Sequence, residues 1–306
     1  MRIGIHSFSG GPSLDEQLKV AVDAEEAGFE SFWYGHIFGH DALTLAALAA
    51  VKTKRIELGT AVAQTYARHP FVTAQQALTT QAAAEGRFTL GIGPSHHVLV
   101  QGMWGLPYER VAENVREYLS VLRPLIDQGN VAFSGEQYRV VGALQIPDRK
   151  PCSVLISALA PMMLRIAGEL ADGTLTWMTG PKTIADHIVP RINSAAEEAG
   201  RPPPRVCVSL PVAVTDDVAA ARDAAAALFE MYGQLPNYRR MLDREGAAGP
   251  ADVAIAGSEA DVERQIRAIA DTGATDFVVW TYPVGEDAQA SLDRTWSLVK
   301  GLVGKV

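Results

Sequence analysis

Five of the seven histidines and four of the five tryptophans stand at or just beyond the ends of short apolar segments. The histidines are His6, His36, His40, His96 and His97; the tryptophans are Trp33, Trp104, Trp177 and Trp280. An imidazole can give or take a proton near neutral pH, and His36 is the candidate for that work, although a lone histidine is more often structural or a plain hydrogen-bond donor. Indoles offer flat apolar faces. Carboxylates are scarce around these positions, Asp41 being the nearest. Such a set suits a large flat ligand. Metal-dependent hydrolysis wants carboxylates beside histidines, and glycoside hydrolysis wants two carboxylates. A single aromatic at a strand end more often caps a core; the clustering favours a ligand. His96 and His97 are adjacent, so an extended segment sends them to opposite sides. His69, before Pro70, reads as a turn or cap. No Gly-x-Ser-x-Gly elbow supports acyl transfer. Neither a catalytic lysine nor paired carboxylates at the segment ends support an aldolase or isomerase.

Two small-residue segments could hold a ligand by backbone. Gly91-Ile92-Gly93-Pro94-Ser95-His96 allows close backbone approach, although a dinucleotide fingerprint would need a third glycine where His96 stands. A tight turn without a ligand explains Gly91 and Gly93 as well. Ser157-Ala158-Leu159-Ala160-Pro161 leads from a strand into a helix and could present open amides to an anion. It reads equally as an ordinary loop with proline in the first helical turn.

Positioning these groups falls to alternating strands and helices. The strand candidates are Arg2–Phe8, Ser31–Tyr34, Arg55–Val62, Arg87–Gly93, Cys152–Ala158, Thr174–Met178, Arg205–Thr215 and Thr275–Trp280. Helices follow them, with Ser13 and Glu16 forming a capping box and Ser258 capping a later helix. Strict alternation implies a parallel sheet, and eight units close it into a (β/α)8 TIM barrel. An open doubly wound sheet is the alternative. The sites then lie at the C-terminal strand ends. Gly129–Lys150 breaks the rhythm and reads as an inserted hairpin. Gln234–Ala251 reads as polar and irregular. The whole chain is expected to be one domain.

With 306 residues, the chain exceeds a minimal barrel of about 250 residues. A hydrophobic fraction of 48% supplies a large core. The net charge of −8 argues against nucleic acid, since phosphate contacts need clustered Lys and Arg. Cys152 and Cys207 exclude a disulfide framework, and no Cys/His spacing matches a zinc site. The opening MRIGIHSF lacks a signal-peptide core, and no apolar run spans a membrane. A soluble cytoplasmic protein is expected.

Several stretches together resemble the bacterial luciferase-like monooxygenase superfamily, in its branch of deazaflavin (F420)-dependent oxidoreductases. They are AEEAGFESFWYGH (24–36), RIELGTAV (55–62), RHPFVTAQQALTTQAAAEGRFTLGIGPSH (68–96), LRIAGELADGTLTWMTGP (164–181) and AGRPPPRV (199–206). The resemblance implies a TIM barrel with the ring of F420, or of FMN, in its mouth. It implies a cis Ala61–Val62 peptide behind the ring. Gly91, Gly93, Pro94, Ser95 and His96 would run along the cofactor side chain. Ser157, Ala158, Leu159, Ala160 and Pro161 would contact its phosphate, and Thr176, Trp177 and Met178 would flank it. The 129–150 insertion would cover the substrate mouth. Many members carry an Asp-His pair after the second strand; here Gly35 and His36 stand there, so the carboxylate is missing.

The implied activity is hydride transfer between F420 and a small organic substrate, with His36 handling a proton and a homodimer as the usual assembly. An FMN-dependent monooxygenase is the rival reading. A non-catalytic cofactor-binding barrel is the alternative of another class. Since F420 is polyanionic and the chain acidic, aromatic contacts, backbone amides and a local arginine such as Arg165 are expected to hold it.

Overall fold

All eight expected strands form, and they close into a barrel. The computed structural model describes residues 1–7 and 13–306. Phe8, the expected end of the first strand, lies outside the described residues. The strands are β1 (Arg2–Ser7), β2 (Ser31–Tyr34), β3 (Glu57–Thr60), β4 (Ala63–Gln64), β5 (Phe88–Gly93), β6 (Asn130–Ser134), β7 (Arg139–Ala143), β8 (Ser153–Ile156), β9 (Gly173–Trp177), β10 (Arg205–Val214), β11 (Ile255–Gly257) and β12 (Asp276–Thr281). Parallel pairing runs β10-β12-β1-β2-β3-β5-β8-β9, and β9 pairs with β10 to shut the ring. Two short additions, β4 beside β5 and β11 beside β10, extend it at the C-terminal end.

The helices are α1 (Leu14–Glu26), α2 (Ala42–Ala50), α3 (Pro70–Ala83), α4 (Val111–Asp127), α5 (Pro161–Leu170), α6 (Pro181–Thr183), α7 (Val189–Glu198), α8 (Val218–Gln234), α9 (Pro236–Glu245), α10 (Glu259–Ala270) and α11 (Ala288–Leu302). Their starts follow local chemistry. Ser13 and Glu16 make the reciprocal capping box of α1, and Ser258 caps α10. His69 caps α3 through a hydrogen bond from the Phe71 amide.

Gly129–Lys150 contains the expected hairpin: β6 and β7 pair antiparallel from Asn130↔Ala143 to Ser134↔Arg139. Gln234–Ala251 differs from the expectation. It holds α9, opened by Pro236 and closed by Gly246 in the left-handed region (φ 82°). Only Met241 and Leu242 of α9 are buried, so its apolar stripe is too thin to show as periodicity.

Inside the barrel, side chains stack in layers because alternate residues of each strand face inward. At the N-terminal end, Arg2, Glu57, Arg205 and Asp276 form an ion cluster. Above it lie Trp33, Leu155, Leu175, Cys207 and Val278. Trp33 is wholly buried, which moves it from the expected rim into the barrel interior. Gly59 is its register partner on β3, and a Cβ there would meet the indole at 2.3 Å. The large residue fits because its neighbour has no side chain. The Trp33 indole N–H donates to Ser31 Oγ at 2.9 Å.

Candidate active site

Ala61 and Val62 rest on the Trp33 layer and form the floor of the barrel mouth. The peptide between them is cis. The two glycines of β5 make room for this floor. A Cβ on Gly91 would fall 1.9 Å from the Thr60 carbonyl oxygen; one on Gly93 would meet Ser157 Oγ at 2.3 Å and Val62 Cγ2 at 2.8 Å. Glycine is therefore required at both positions by the chain's own close approach. Beyond β5, Ser95 sits in the left-handed region (φ 64°), and beyond β9 so does Met178 (φ 51°). Such backbone in non-glycine residues concentrates at functional sites.

One wall of the mouth is aromatic. Trp177 meets His6 edge-on at 5.6 Å, Phe229 and Tyr232 at 5.8 Å, and Trp280 at 6.2 Å. Tyr232 continues to Tyr238 at 5.3 Å, and Tyr238 to His96 at 5.5 Å. The two neighbouring histidines do diverge: His97 turns to Tyr108 instead. His6 Nδ1 lies 3.0 Å from Ser209 Oγ. Burial lowers the His6 pKa to about 4, so its ring is neutral at pH 7. Burial also lowers that of His96.

His36 follows β2 at the same end of the barrel. Its carbonyl accepts from Gln64 Nε2 at 3.1 Å. Its Nδ1 accepts the Ala42 amide at 3.2 Å, which leaves the neutral ring with its hydrogen on Nε2. Burial lowers its pKa; Asp41 opposes that effect and Arg68 adds to it. A neutral Nε2–H is a hydrogen-bond donor.

A cleft of about 270 Å³ opens where Leu159, Ala160 and Pro161 meet α9. Ala160 is the N-cap of α5 and has no side chain able to cap it. The amides of the first turn thus stay open to an anion. Arg240 and Arg244 line the cleft and form no ion pair with any described residue. Asp243 lines it too, but its carboxylate accepts from Arg239 Nε at 2.8 Å. His187 Nε2 donates to the Leu159 carbonyl at 2.7 Å and so fixes the turn.

Not every expected residue presents its side chain here. Thr176, Ala158 and Met178 are fully or almost fully buried, and the Thr176 hydroxyl faces the Cys207 carbonyl at 3.5 Å. Arg165 does not serve the cleft: its guanidinium is held by Glu169 one turn along α5. Arg240 and Arg244 supply the positive charge instead. Sequence reasoning missed them because their helix went unrecognised. Pro236 at its start and Gly246 after its end were the available signals. Among the described residues, no three His, Cys, Asp or Glu side chains gather to hold a metal, and no helix is long and apolar enough to cross a membrane.

The profile of the luciferase-like monooxygenase family matches residues 1–295. A 5,10-methylenetetrahydromethanopterin reductase of Methanolobus tindarius is 28% identical over 228 residues, covering 74% of this chain and 69% of the reductase. The coenzyme F420-dependent tetrahydromethanopterin reductase of Methanopyrus kandleri superposes with a TM-score of 0.79 at 23% identity, over 100% of this chain and 98% of that one. The FMN complex of the oxygenating constituent of 3,6-diketocamphane monooxygenase from Pseudomonas putida superposes at 0.75 and 19% identity, over 100% and 97%. The likeness to these structures is one of fold. With the profile spanning nearly its whole length, the chain belongs to the luciferase-like monooxygenase family.

Proposed function

We propose that the protein is an F420-dependent oxidoreductase that moves a hydride between the deazaflavin and a small organic substrate. The observation that carries this reading is one helix, α9, serving two sites. Its Tyr238 belongs to the aromatic wall, and its Arg240 and Arg244 line the cleft at the α5 N-terminus. A flat ring joined to a phosphate needs such a pair. When bound, F420 supplies a ring carbon that exchanges hydride and activates oxygen poorly. Ala61 and Val62 would back one face of the ring, and Trp177 would stand beside it. The open amides of α5 and the two arginines would take the phosphate. His36 Nε2–H would donate to a substrate oxygen. Exposed Phe38 after β2, and exposed Val98 and Met103 at the two ends of the short helical segment after β5, favour an apolar substrate. A putative coenzyme F420-dependent oxidoreductase of Mycobacterium tuberculosis, 28% identical over 244 residues covering 72% of this chain and 69% of that protein, supports F420 over FMN.

Titration of the purified protein with F420 and with FMN tests this reading. Saturable F420 binding and hydride exchange with an alcohol or carbonyl panel are expected. Tight FMN binding with no F420 affinity would overturn it in favour of the monooxygenase reading. F420 binding without any turnover would favour a cofactor-binding barrel.

The chain is also suited to act as a homodimer through α2 and α3. These adjacent helices carry no charged residue, although Val51, at the end of α2, is 69% exposed and Val72 of α3 is 52% exposed. A solvent-facing helix pair normally carries charge on its outer face. A second copy of the same uncharged face is the fitting cover. Light scattering should show a dimer for the native chain and a monomer for Val51→Glu/Val72→Glu. A native monomer at micromolar concentration would refute this assembly.

A further inference from the structure

We infer that Asp41 is the carboxylate partner of His36, supplied from the N-cap of α2, and that Arg68 regulates how strongly it acts on the ring. This rests on the reading of His36 as the group beside the substrate. The chain has Gly35 directly before the histidine, so no carboxylate comes from that neighbour. Asp41 arrives by another route. Its Oδ2 lies 3.9 Å from His36 Nδ1, within electrostatic reach and just beyond a hydrogen bond. The same Oδ2 is engaged by the Arg68 guanidinium. Its Oδ1 accepts from the Thr44 amide at 2.8 Å, from Thr44 Oγ1 at 2.9 Å and from Gln76 Nε2 at 3.3 Å. Arg68 in turn donates to Gln76 Oε1 at 2.7 Å.

The carboxylate is thus fixed on four sides. Helix α2 holds it through Thr44, and α3 holds it through Gln76. His36 Nδ1 meets two groups from the start of α2: the Ala42 amide, which it accepts, and the Asp41 carboxylate. In the neutral ring the amide wins Nδ1, and Nε2 keeps its hydrogen. When the ring gains a proton, Nδ1 becomes a donor and can no longer accept from Ala42. The carboxylate then becomes its favourable partner. Arg68 draws on the same oxygen and moderates that preference. Asp41 and Arg68 are the charged groups that act on the ring. Asp41 is therefore a positioning residue: the Ala42 amide sets the neutral ring's tautomer, and Asp41 favours the ring's charged form without needing to touch substrate.

The test is the titration of the His36 ring, followed by proton NMR in the full-length protein without cofactor. His36→Gln assigns the signal. Asp41→Asn keeps the helix cap, because asparagine caps as well as aspartate. In this variant the midpoint should move to lower pH. In Arg68→Gln it should move to higher pH. These opposite directions are what a ring set beside a carboxylate that favours its charge and a guanidinium that opposes it must show. Unchanged midpoints in both folded variants, or a shift of the same sign in both, would overturn the inference. Because no cofactor is present, this outcome is separate from the proposed activity. If the midpoints move as expected but His36→Gln leaves hydride exchange intact, the pairing holds and the role of His36 in the reaction falls.

Discussion

Replacing Arg205 with methionine should destabilise the protein by about 3–5 kcal/mol, the range for stranding one member of a buried ion pair. Asp276 is the member left behind; its side chain is 1% exposed. Arg205 grips it with Nη2 at 2.7 Å and Nε at 3.3 Å, and reaches Glu57 with Nη1 at 2.8 Å. One guanidinium thus joins β10 to β12 and, across the barrel, to β3. It also stands over the Trp33 ring at 5.9 Å. Arg2 contacts Glu57 and Asp276 as well but is 38% exposed, so it can compensate only in part.

The pH dependence of the loss has a definite sign. Burial by itself would raise the Asp276 pKa, but the Arg205 hydrogen bonds and charge, with the Thr275 hydroxyl and Arg2, hold it below the usual value. A folded pKa below the unfolded one stabilises the fold above the unfolded value of about 4, and that stability is lost as pH falls through the folded pKa. In Arg205→Met the folded pKa should climb. The deficit against the native protein should be widest at neutral pH and shrink on acidification. Urea melts at pH 7 and pH 4.5 measure this directly. Adding Asp276→Asn to the variant should recover part of the loss. A deficit below about 1 kcal/mol, or one independent of pH, would show that the cluster is not the pin of the barrel base.

This cluster also marks where the sequence was hard to read. The eight strands were legible because their apolar runs alternate with capped helices. Arg2, Glu57, Arg205 and Asp276 each open a strand, and there a charge looks like a boundary. Their meeting depends on barrel closure and on strand parity, which pattern alone does not fix. Parity also decides Trp33: it ends an apolar run as a rim residue would, but it faces inward opposite Gly59. In the mouth, the Ala61–Val62 position was reached through family resemblance, which also tipped the Ser157–Pro161 turn, legible from its small residues as either an anion site or an ordinary loop, toward a phosphate contact. Asp41 was visible only as the nearest acid. Its approach to His36 is made by the turn between β2 and α2, a tertiary feature without sequence periodicity.

Removing Arg240 and Arg244, the two arginines of α9 that line the cleft, gives the largest expected effect on binding. Arg240→Gln/Arg244→Gln should raise the Kd for F420 about a hundredfold, with each single change worth about tenfold. Charge-assisted bonds to phosphate are stronger than neutral ones, but both arginines are exposed, which holds each contribution to the low end. The open first turn of α5 remains in the variant, so binding should weaken without vanishing. Fluorescence titration provides the affinity, and two comparisons isolate its cause. Native affinity should fall as salt rises, while that of the double variant should respond less. A ring compound without phosphate, such as riboflavin or its deaza analogue, should bind both proteins alike, because the aromatic wall is untouched. Equal F420 affinity in native and variant protein would remove the cleft from the cofactor site. Equal loss for the phosphate-free ring would mean that the substitutions had disturbed Tyr238 and the wall.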